Sequence, residues 1–348
     1  MLEILKLEIG KKEFDSFFKV PYLLQNFPFS KENYDREKKQ LSLKNIFFEH
    51  AKGCGFVVKD NGEFKGRIFA SVDESLIQNK DNESKFQKVI GHIGYICVKE
   101  ELYYRKLIEE AERWLKNKGV THIHGPLNLN ILNGYRLQVD GFRTDPFPGE
   151  PRNPGYYKKF FEQSGYKVLN SWNSWDLNPD FIRLSANHAS AISKKVNLKG
   201  VTIRSLNIKK FENEISNICD CALESFSLNY GIAQISKKEF VQSLSHLKPL
   251  MRENLFYILQ ERNGKVGGFI MGYQDDPLKP KRIIFHTVAL NKKWQKTNAA
   301  YLLAEKICNT VSSLGYYGIG AFAKEGKSTF DRLGPPTRRY SMFEKVIL

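Results

Sequence analysis

Among 348 residues there are only five cysteines, seven histidines and four tryptophans, and 38 acidic side chains face 54 lysines and arginines. The scarcity of cysteine excludes a disulfide-stapled scaffold. Cys54, Cys97, Cys219, Cys221 and Cys308 are scattered and odd in number, which suits buried free thiols in a reducing, cytoplasmic compartment. Nor does any ligand spacing call for a metal. Cys219 and Cys221 stand two apart in a predicted helix and so share no face, while His122 and His124 alternate along a predicted strand, where packing is the simpler account. No run of roughly 18 apolar residues occurs, so no transmembrane segment is expected. The opening MLEILKLEIGKKEF alternates apolar with charged residues and lacks the apolar core of a signal peptide.

What is present is ordinary in bulk: 41% apolar, 26% charged and 13% aromatic residues. A chain of 348 residues suits two domains of about 150–180 residues each. The net charge of +16 favours anionic partners: a phosphorylated cofactor, nucleic acid or an acidic membrane surface. The lysines are dispersed rather than gathered in a tail, and a lysine-rich proteome accounts for part of the excess.

Hydrophobic periodicity gives the same order of elements twice. In the first half LEILKLEIG reads as a strand, KEFDSFFKVPYLL as a helix, and GFVVKDNGEFKGRIFASVD as a hairpin turning at Asn61-Gly62. A strand IGHIGYICV, an amphipathic helix ELYYRKLIEEAERWLKNKG, a strand THIHGPLN, a short helix PGYYKKFFEQSG and a strand YKVLNSWNSWDL come next. The second half repeats this with VTIRSLN, KFENEISNICDCALESF, a hairpin turning at Asn263-Gly264, RIIFHTVAL, NAAYLLAEKICNTVSSLG, YYGIGAFA, KSTFDRLG and RRYSMFEKVI. The expectation is an α+β protein with a mixed sheet in each of two tandem domains, 1–178 and 200–348, joined by a polar linker at 179–199.

This order resembles the GNAT superfamily of acyl-CoA-dependent N-acyltransferases. The hairpin NGKVGGFIMGY and the stretch TVALNKKWQKTNAAYLL are similar to its glycine-opened hairpin and its strand, pyrophosphate loop and helix. From about residue 13 onward the chain also resembles a bacterial group of tandem-GNAT proteins, through FFEHAKGCGFVVKDNGEFKGRIFA, AERWLKNKGVTHIHGPLN, EPRNPGYYKKFFEQSGY and PTRRYSMFEK.

The resemblance implies acetyl-CoA or a longer acyl-CoA as co-substrate, and no metal. Its loop pattern, Arg/Gln-x-x-Gly-x-Gly/Ala, falls on Gln295, Lys296, Thr297, Asn298, Ala299 and Ala300, with Asn where the first glycine stands. Asn tolerates left-handed backbone and caps helices, small Ala residues let an anion reach unpaired N–H groups, and Lys292, Lys293 and Lys296 add a favourable field. The bland reading is an N-capped amphipathic helix with a basic lead-in. Thr287, Val288, Ala289 and Leu290 would hold the pantetheine. His286 is the candidate general base, set against a packed strand histidine. The family's tyrosine acid falls on Phe330, so Tyr340 or solvent is left to protonate the thiolate. In the first half the equivalent VKEELYYR places two carboxylates and two phenols where a pyrophosphate would go, so that half is expected to shape the acceptor site and not to bind CoA.

The Gly/Pro/Asn-rich stretch GPLNLNILNGYRLQVDGFRTDPFPGEPRNPGYY reads either as a binding loop or as a set of turns. Asn128, Tyr135, Arg136 and Arg152 are its candidate acceptor contacts. The leading function is N-acyl transfer from acyl-CoA to a primary amine, borne by a small molecule or a lipid. The alternatives are a ceramide-type lipid-amine N-acyltransferase with peripheral contact to an anionic membrane, and a non-catalytic acyl-CoA-binding protein. An aminoacyl-tRNA-dependent transferase ranks last, and no nucleic-acid partner is expected.

Overall fold

A computed structural model describes residues 1–24, 31–74, 88–196, 198–226, 235–275, 282–326, 330 and 333–347. The expected short helix at 327–334 therefore lies largely outside the described residues. Two compact units divide the chain: Met1–Phe142, Pro151–Ser171 and Tyr340–Leu348 make the first, and Arg143–Glu150 with Trp172–Arg339 the second.

In the first unit β1 (Leu2–Leu7), β2 (Ala51–Asp60), β3 (Glu63–Asp73) and β4 (Ile90–Val98) form an antiparallel run. The β2–β3 hairpin turns at Asn61 and Gly62, both left-handed at φ 50° and 82°, the geometry that Asn-Gly favours in a two-residue turn. Strand β5 (His122–Gly125) then pairs parallel with β4. Both faces are covered, so the strands read as near-continuous apolar runs. On one face lie α3 (Glu101–Lys116) and α4 (Tyr157–Gln163), burying Leu107, Ala111, Leu115, Phe160 and Phe161 against Phe56, Ile68 and Ile93. On the other, Phe14 and α1 (Asp15–Leu24) stack phenylalanines on Val57 and Phe69. A polar helix, α2 (Lys31–Gln40), has no counterpart among the expected elements, because no apolar stripe marks it.

The second unit repeats the plan. The strands β8 (Val201–Ser205), β9 (Phe256–Glu261), β10 (Val266–Gln274) and β11 (Arg282–Leu290) are antiparallel neighbours, and β12 (Tyr317–Lys324) pairs parallel with β11. Helix α9 (Ala299–Leu314) buries Leu303, Ile307 and Val311, while α6 (Phe211–Ser225) packs on β10 and β11.

Two expectations are corrected. Residues 179–199 are not a linker: α5 (Pro179–Ser193) occupies most of them and packs on α9. Its cap is readable, since Asn178 accepts a hydrogen bond from the Phe181 N–H at 2.8 Å and Pro179 stands next to it. So is its stripe, Ile182, Ala186 and Ala189, all buried. Second, each half does not keep its own last strand. In β7 (Lys167–Leu177), residues Trp172–Leu177 pair antiparallel with β12, and in β13 (Arg338–Val346), residues Phe343–Val346 pair antiparallel with β5. The domain boundary expected at 178 fails for this reason. Either assignment satisfies the alternation of the two strands equally well, so sequence order alone cannot choose.

His92, wholly buried on β4, titrates low: burial, and then the neighbouring His124, pull its imidazole down to about 3. Above the ordinary histidine value of 6.5 folded and unfolded forms are both neutral there. Below it only the unfolded chain takes up the proton. The unfolding free energy should thus fall by roughly 1.4 kcal/mol per pH unit from about pH 6.5 towards 3. Urea titrations between pH 7 and pH 5 check this, and His92→Leu should flatten that limb.

Candidate functional site

The second unit's site begins with a strand that stops pairing. Opposite β10, Thr287 faces Met271 and Phe285 faces Gly272, so His286 is the extra residue of a β-bulge. The parallel partner β12 covers only Arg282–Phe285. From His286 onward β11 has no parallel partner strand among the described residues, and a bulge is a device that re-aims a side chain at such a place. The strand's two-residue period determines which groups face that edge. Asn291 N–H donates back to Gly267 O at 2.9 Å, whereas Leu290 N–H turns away from β10 to Ser225 Oγ at 3.3 Å. Val288, two residues earlier, shares the outward direction. Its N–H and C=O meet no strand among the described residues, and its side chain is 51% exposed.

The chain then makes a short helical turn, α8 (Lys292–Gln295), before α9. Gln295 Nε2 donates to Leu290 O at 3.0 Å, and Trp294 Nε1 donates to Glu261 Oε1 at 2.8 Å, which roots the turn. Lys293 pairs with Glu261 at 2.9 Å, and all three lysines, Lys292, Lys293 and Lys296, are exposed. Asn298 is neither left-handed nor a side-chain cap: its φ is −81° and its amide makes no cap bond. Thr297 caps instead, its Oγ1 accepting from Ala299 N–H at 3.2 Å while donating to Trp294 O at 2.7 Å. A hydroxyl one residue earlier reaches the first helical N–H better than the Asn amide. The N–H groups of Asn298 and Ala300 have no acceptor among the described residues. Ala299 is fully buried and Ala300 half-buried, and each contributes only a methyl group beside these donors.

His286 is half-buried, with Nδ1 2.7 Å from Thr287 Oγ1. Its ring lies 5.5 Å from that of Tyr273 and 6.0 Å, edge-on, from that of Phe322. Tyr273 is wholly buried, and burial keeps its phenol protonated far above the usual range; it donates to Pro148 O at 2.7 Å. Phe330, where a tyrosine acid would stand, packs on Trp175 at 5.8 Å and offers no hydroxyl.

In the first unit the same parting of strands is filled from within. β4 pairs with β5 only over Ile90–His92. Beyond that point Ile93 O accepts from Leu127 N–H at 2.8 Å, Tyr95 N–H donates to Asn128 Oδ1 at 2.8 Å, and Val98 N–H donates to Tyr157 Oη at 2.8 Å. Counted from the strand start, Gly94 occupies the place of His286, and a Cβ there would collide with the Leu127 carbonyl. The expected obstruction by Tyr103 and Tyr104 is not what closes the site. Tyr104 turns into the core and Tyr103 donates to Asp60 at 3.1 Å.

The other candidate residues scatter. Asn128 is committed to the Tyr95 N–H and so acts in structure rather than at an acceptor. Arg136, left-handed at φ 83°, stacks 3.8 Å over Tyr135 and donates to its hydroxyl, and burial pulls the guanidinium down to about 10. Arg152 is exposed in the first unit. Tyr340 belongs to the first unit, not to the unit that carries His286, and is wholly buried. Its candidacy as an acid for the second unit's site rests on sequence order alone. Ser225 escapes a reading of the sequence, and the segment Arg143–Glu150, legible only as part of a loop, belongs to the second unit. The only available signal is that Arg282 and Ile284 share a phase with His286.

Each unit thus has a sheet in which two parallel neighbours part halfway, with a helix entering beside the gap. This is the GNAT fold, present twice. A tandem GNAT protein from the clavulanic acid pathway superposes with a TM-score of 0.56 at 9% identity, over 99% of this chain and 98% of its own. A protein of Enterococcus faecalis described as a probable N-acyltransferase does so with a TM-score of 0.56 at 14% identity, over 100% of this chain and 73% of its own. No family model matches. Among sequence relatives, Protein YghO of Escherichia coli is 28% identical over 223 residues, 63% of this chain and 55% of the relative. A bacterial ceramide synthase of Caulobacter vibrioides is 26% identical over 230 residues, 65% of this chain and 57% of the relative. The chain spans little more than half the length of either relative.

Replacing the capping hydroxyl by Thr297→Val removes two hydrogen bonds at the mouth of α9. The second unit should lose about 1 kcal/mol of stability, read as a lower urea midpoint with an unchanged slope.

Proposed function

We propose that the chain is an acyl-CoA-dependent N-acyltransferase whose second unit holds the donor. The observation that carries this reading is the contrast between the two gaps: one is plugged by Leu127, Asn128 and Tyr157, while in the other Val288's polar edge meets no strand among the described residues. The residues there fit acyl-CoA. Val288 offers a donor and an acceptor for an extended amide chain, as an added strand would. Asn298 and Ala300 offer N–H groups at the positive end of α9, with Lys292 and Lys296 nearby in sequence, which suits a pyrophosphate.

Bound acyl-CoA supplies a thioester carbonyl open to an amine. The chain's part is to hold that carbonyl beside the bulge and to remove the amine's proton, for which His286 is the candidate. With Phe330 lacking a hydroxyl and the Tyr340 side chain wholly buried, solvent is the thiolate's proton source in this reading.

The relative named a bacterial ceramide synthase favours a second, narrower version, in which the amine is borne by a long-chain lipid. The net charge of +16 suits an acceptor presented at an anionic membrane surface.

Calorimetry with CoA tests the donor site. Ala300→Glu should weaken binding about tenfold or more, a loss of at least about 1.4 kcal/mol. Undiminished binding would remove the reading. His286→Gln should leave CoA affinity intact and lower kcat about a hundredfold, measured by thiol release. Thiol release should require an amine, and a preference for long-chain over short amines would select the lipid version. CoA binding with no release on any amine would leave a binding protein.

A further inference from the structure

The segment Asp145-Pro146-Phe147-Pro148 is tied down carbonyl by carbonyl. Arg282, first residue of β11, donates from Nη1 to Asp145 O at 3.1 Å and from Nη2 to Pro146 O at 2.6 Å, while its Nε pairs with Asp275. Arg338, first residue of β13 and 1% exposed, donates from Nη2 to the same Asp145 O at 3.0 Å and from Nη1 to Asp176 at 2.8 Å. Its Nε lies 3.2 Å from buried Glu150. Phe147 O accepts from Glu150 N–H at 3.0 Å, and Pro148 O accepts from Tyr273 Oη at 2.7 Å. Four consecutive carbonyls are satisfied, two of them by arginines rooted at strand starts. A surface turn needs no such anchoring, because water would serve its carbonyls.

What the anchoring fixes is Phe147, 4% exposed, whose ring lies 5.4 Å from that of Phe322. Phe322 sits at a left-handed φ of 55° in an irregular part of β12, an uncommon conformation for a bulky residue that its surroundings must impose. Phe322 and Tyr273 both place rings beside His286, and Tyr273 is itself bound to the segment. Ile284, opposite Tyr273, completes the cluster on that face of the sheet.

We propose that residues 145–148 form a positioning segment for His286: held by Arg282, Arg338 and Tyr273, Phe147 sets Phe322, and Phe322 with Tyr273 orients the imidazole and walls its side of the site. The inference rests on the acyltransferase reading only for the use to which that orientation is put. Arg282, Arg338, Tyr273 and Phe147 are positioning residues, not catalytic ones.

The test uses the full chain with its histidines labelled for NMR, and needs no acceptor. Tyr273→Phe removes only the hydroxyl bound to Pro148, and Phe147→Leu loosens the contact to Phe322 while keeping an apolar side chain. Each variant should shift the His286 ring signals and its titration midpoint, leave those of His92 and His188 in place, and leave CoA affinity by calorimetry unchanged. In the presence of an accepted amine, kcat should fall several-fold with KM for acyl-CoA unaltered. Arg282→Lys, which replaces a planar fork by three donors about one point, should reproduce the shift and serves should Phe147→Leu fail to fold. A folded Tyr273→Phe protein whose His286 titrates as in the parent overturns the proposal. Failure of CoA to bind the parent overturns the acyltransferase reading instead, and leaves the NMR result to decide the segment's role.

Discussion

The parting of two parallel strands is the constraint on which both units depend. A strand that loses a neighbour exposes a row of N–H and C=O groups, and inside a protein such groups must find partners or face water. Here the parting occurs at the same place in each unit, after three pairs between β4 and β5 and after four between β11 and β12. In both, a bulge or register shift on the parting strand accompanies it. The fold therefore creates one vacancy per unit, and the sequence decides what fills it.

In the first unit the filler is the chain itself. Asn128 supplies an oxygen to Tyr95 N–H, Leu127 caps Ile93, and the Tyr157 hydroxyl accepts from Val98 N–H while standing 3.2 Å from Val98 O. Each such bond contributes about 1 kcal/mol net, and leaving the same group buried and unmet costs more. That unit has gained stability from the place where its counterpart keeps an edge open. The difference resides in the path of the chain beyond the point of parting. After β5 the Asn-rich turns fold the chain back over the gap, whereas β12 runs on as a strand to Lys324. Duplication of a fold and retention of its open edge are separable.

Legibility from sequence tracks locality. Asn61-Gly62, the apolar stripes of α3 and α9, and the order of elements can be read because each rests on contacts within a few residues. The helix α5 reads as a linker, although Asn178-Pro179 and the spacing of Ile182, Ala186 and Ala189 announce it; a polar average masks a narrow stripe. The strand exchange is illegible, because β7 and β13 satisfy the same alternation in either unit. Its cost falls on the site: Tyr340, a candidate acid by its position in the second half, belongs to the first unit. The bulge at His286 is equally hidden, since it exists only as a mismatch of register between β10 and β11. At Gln295–Ala300 the sequence points to Asn298 as a left-handed cap, and the actual device is the Thr297 hydroxyl beside it.

Lysine outnumbers arginine in this chain, yet the cations that reach the interior of the sheets are guanidinium groups. Arg67 is 2% exposed and bonds Phe17 O and Glu37; Arg338 is 1% exposed and bonds Asp145 O and Asp176. Geometry explains the choice. A planar fork with five donors can meet a carboxylate and a backbone carbonyl at once, and its weaker hydration lowers the cost of burial. An ammonium offers three donors about one point and holds its water more tightly. Arg282 extends the same logic to two consecutive carbonyls, Asp145 and Pro146, which no single lysine could bind without giving up Asp275. The surplus of lysine describes the outer surface and its attraction to anions. The few buried arginines describe the fold, because they tie together segments remote in sequence.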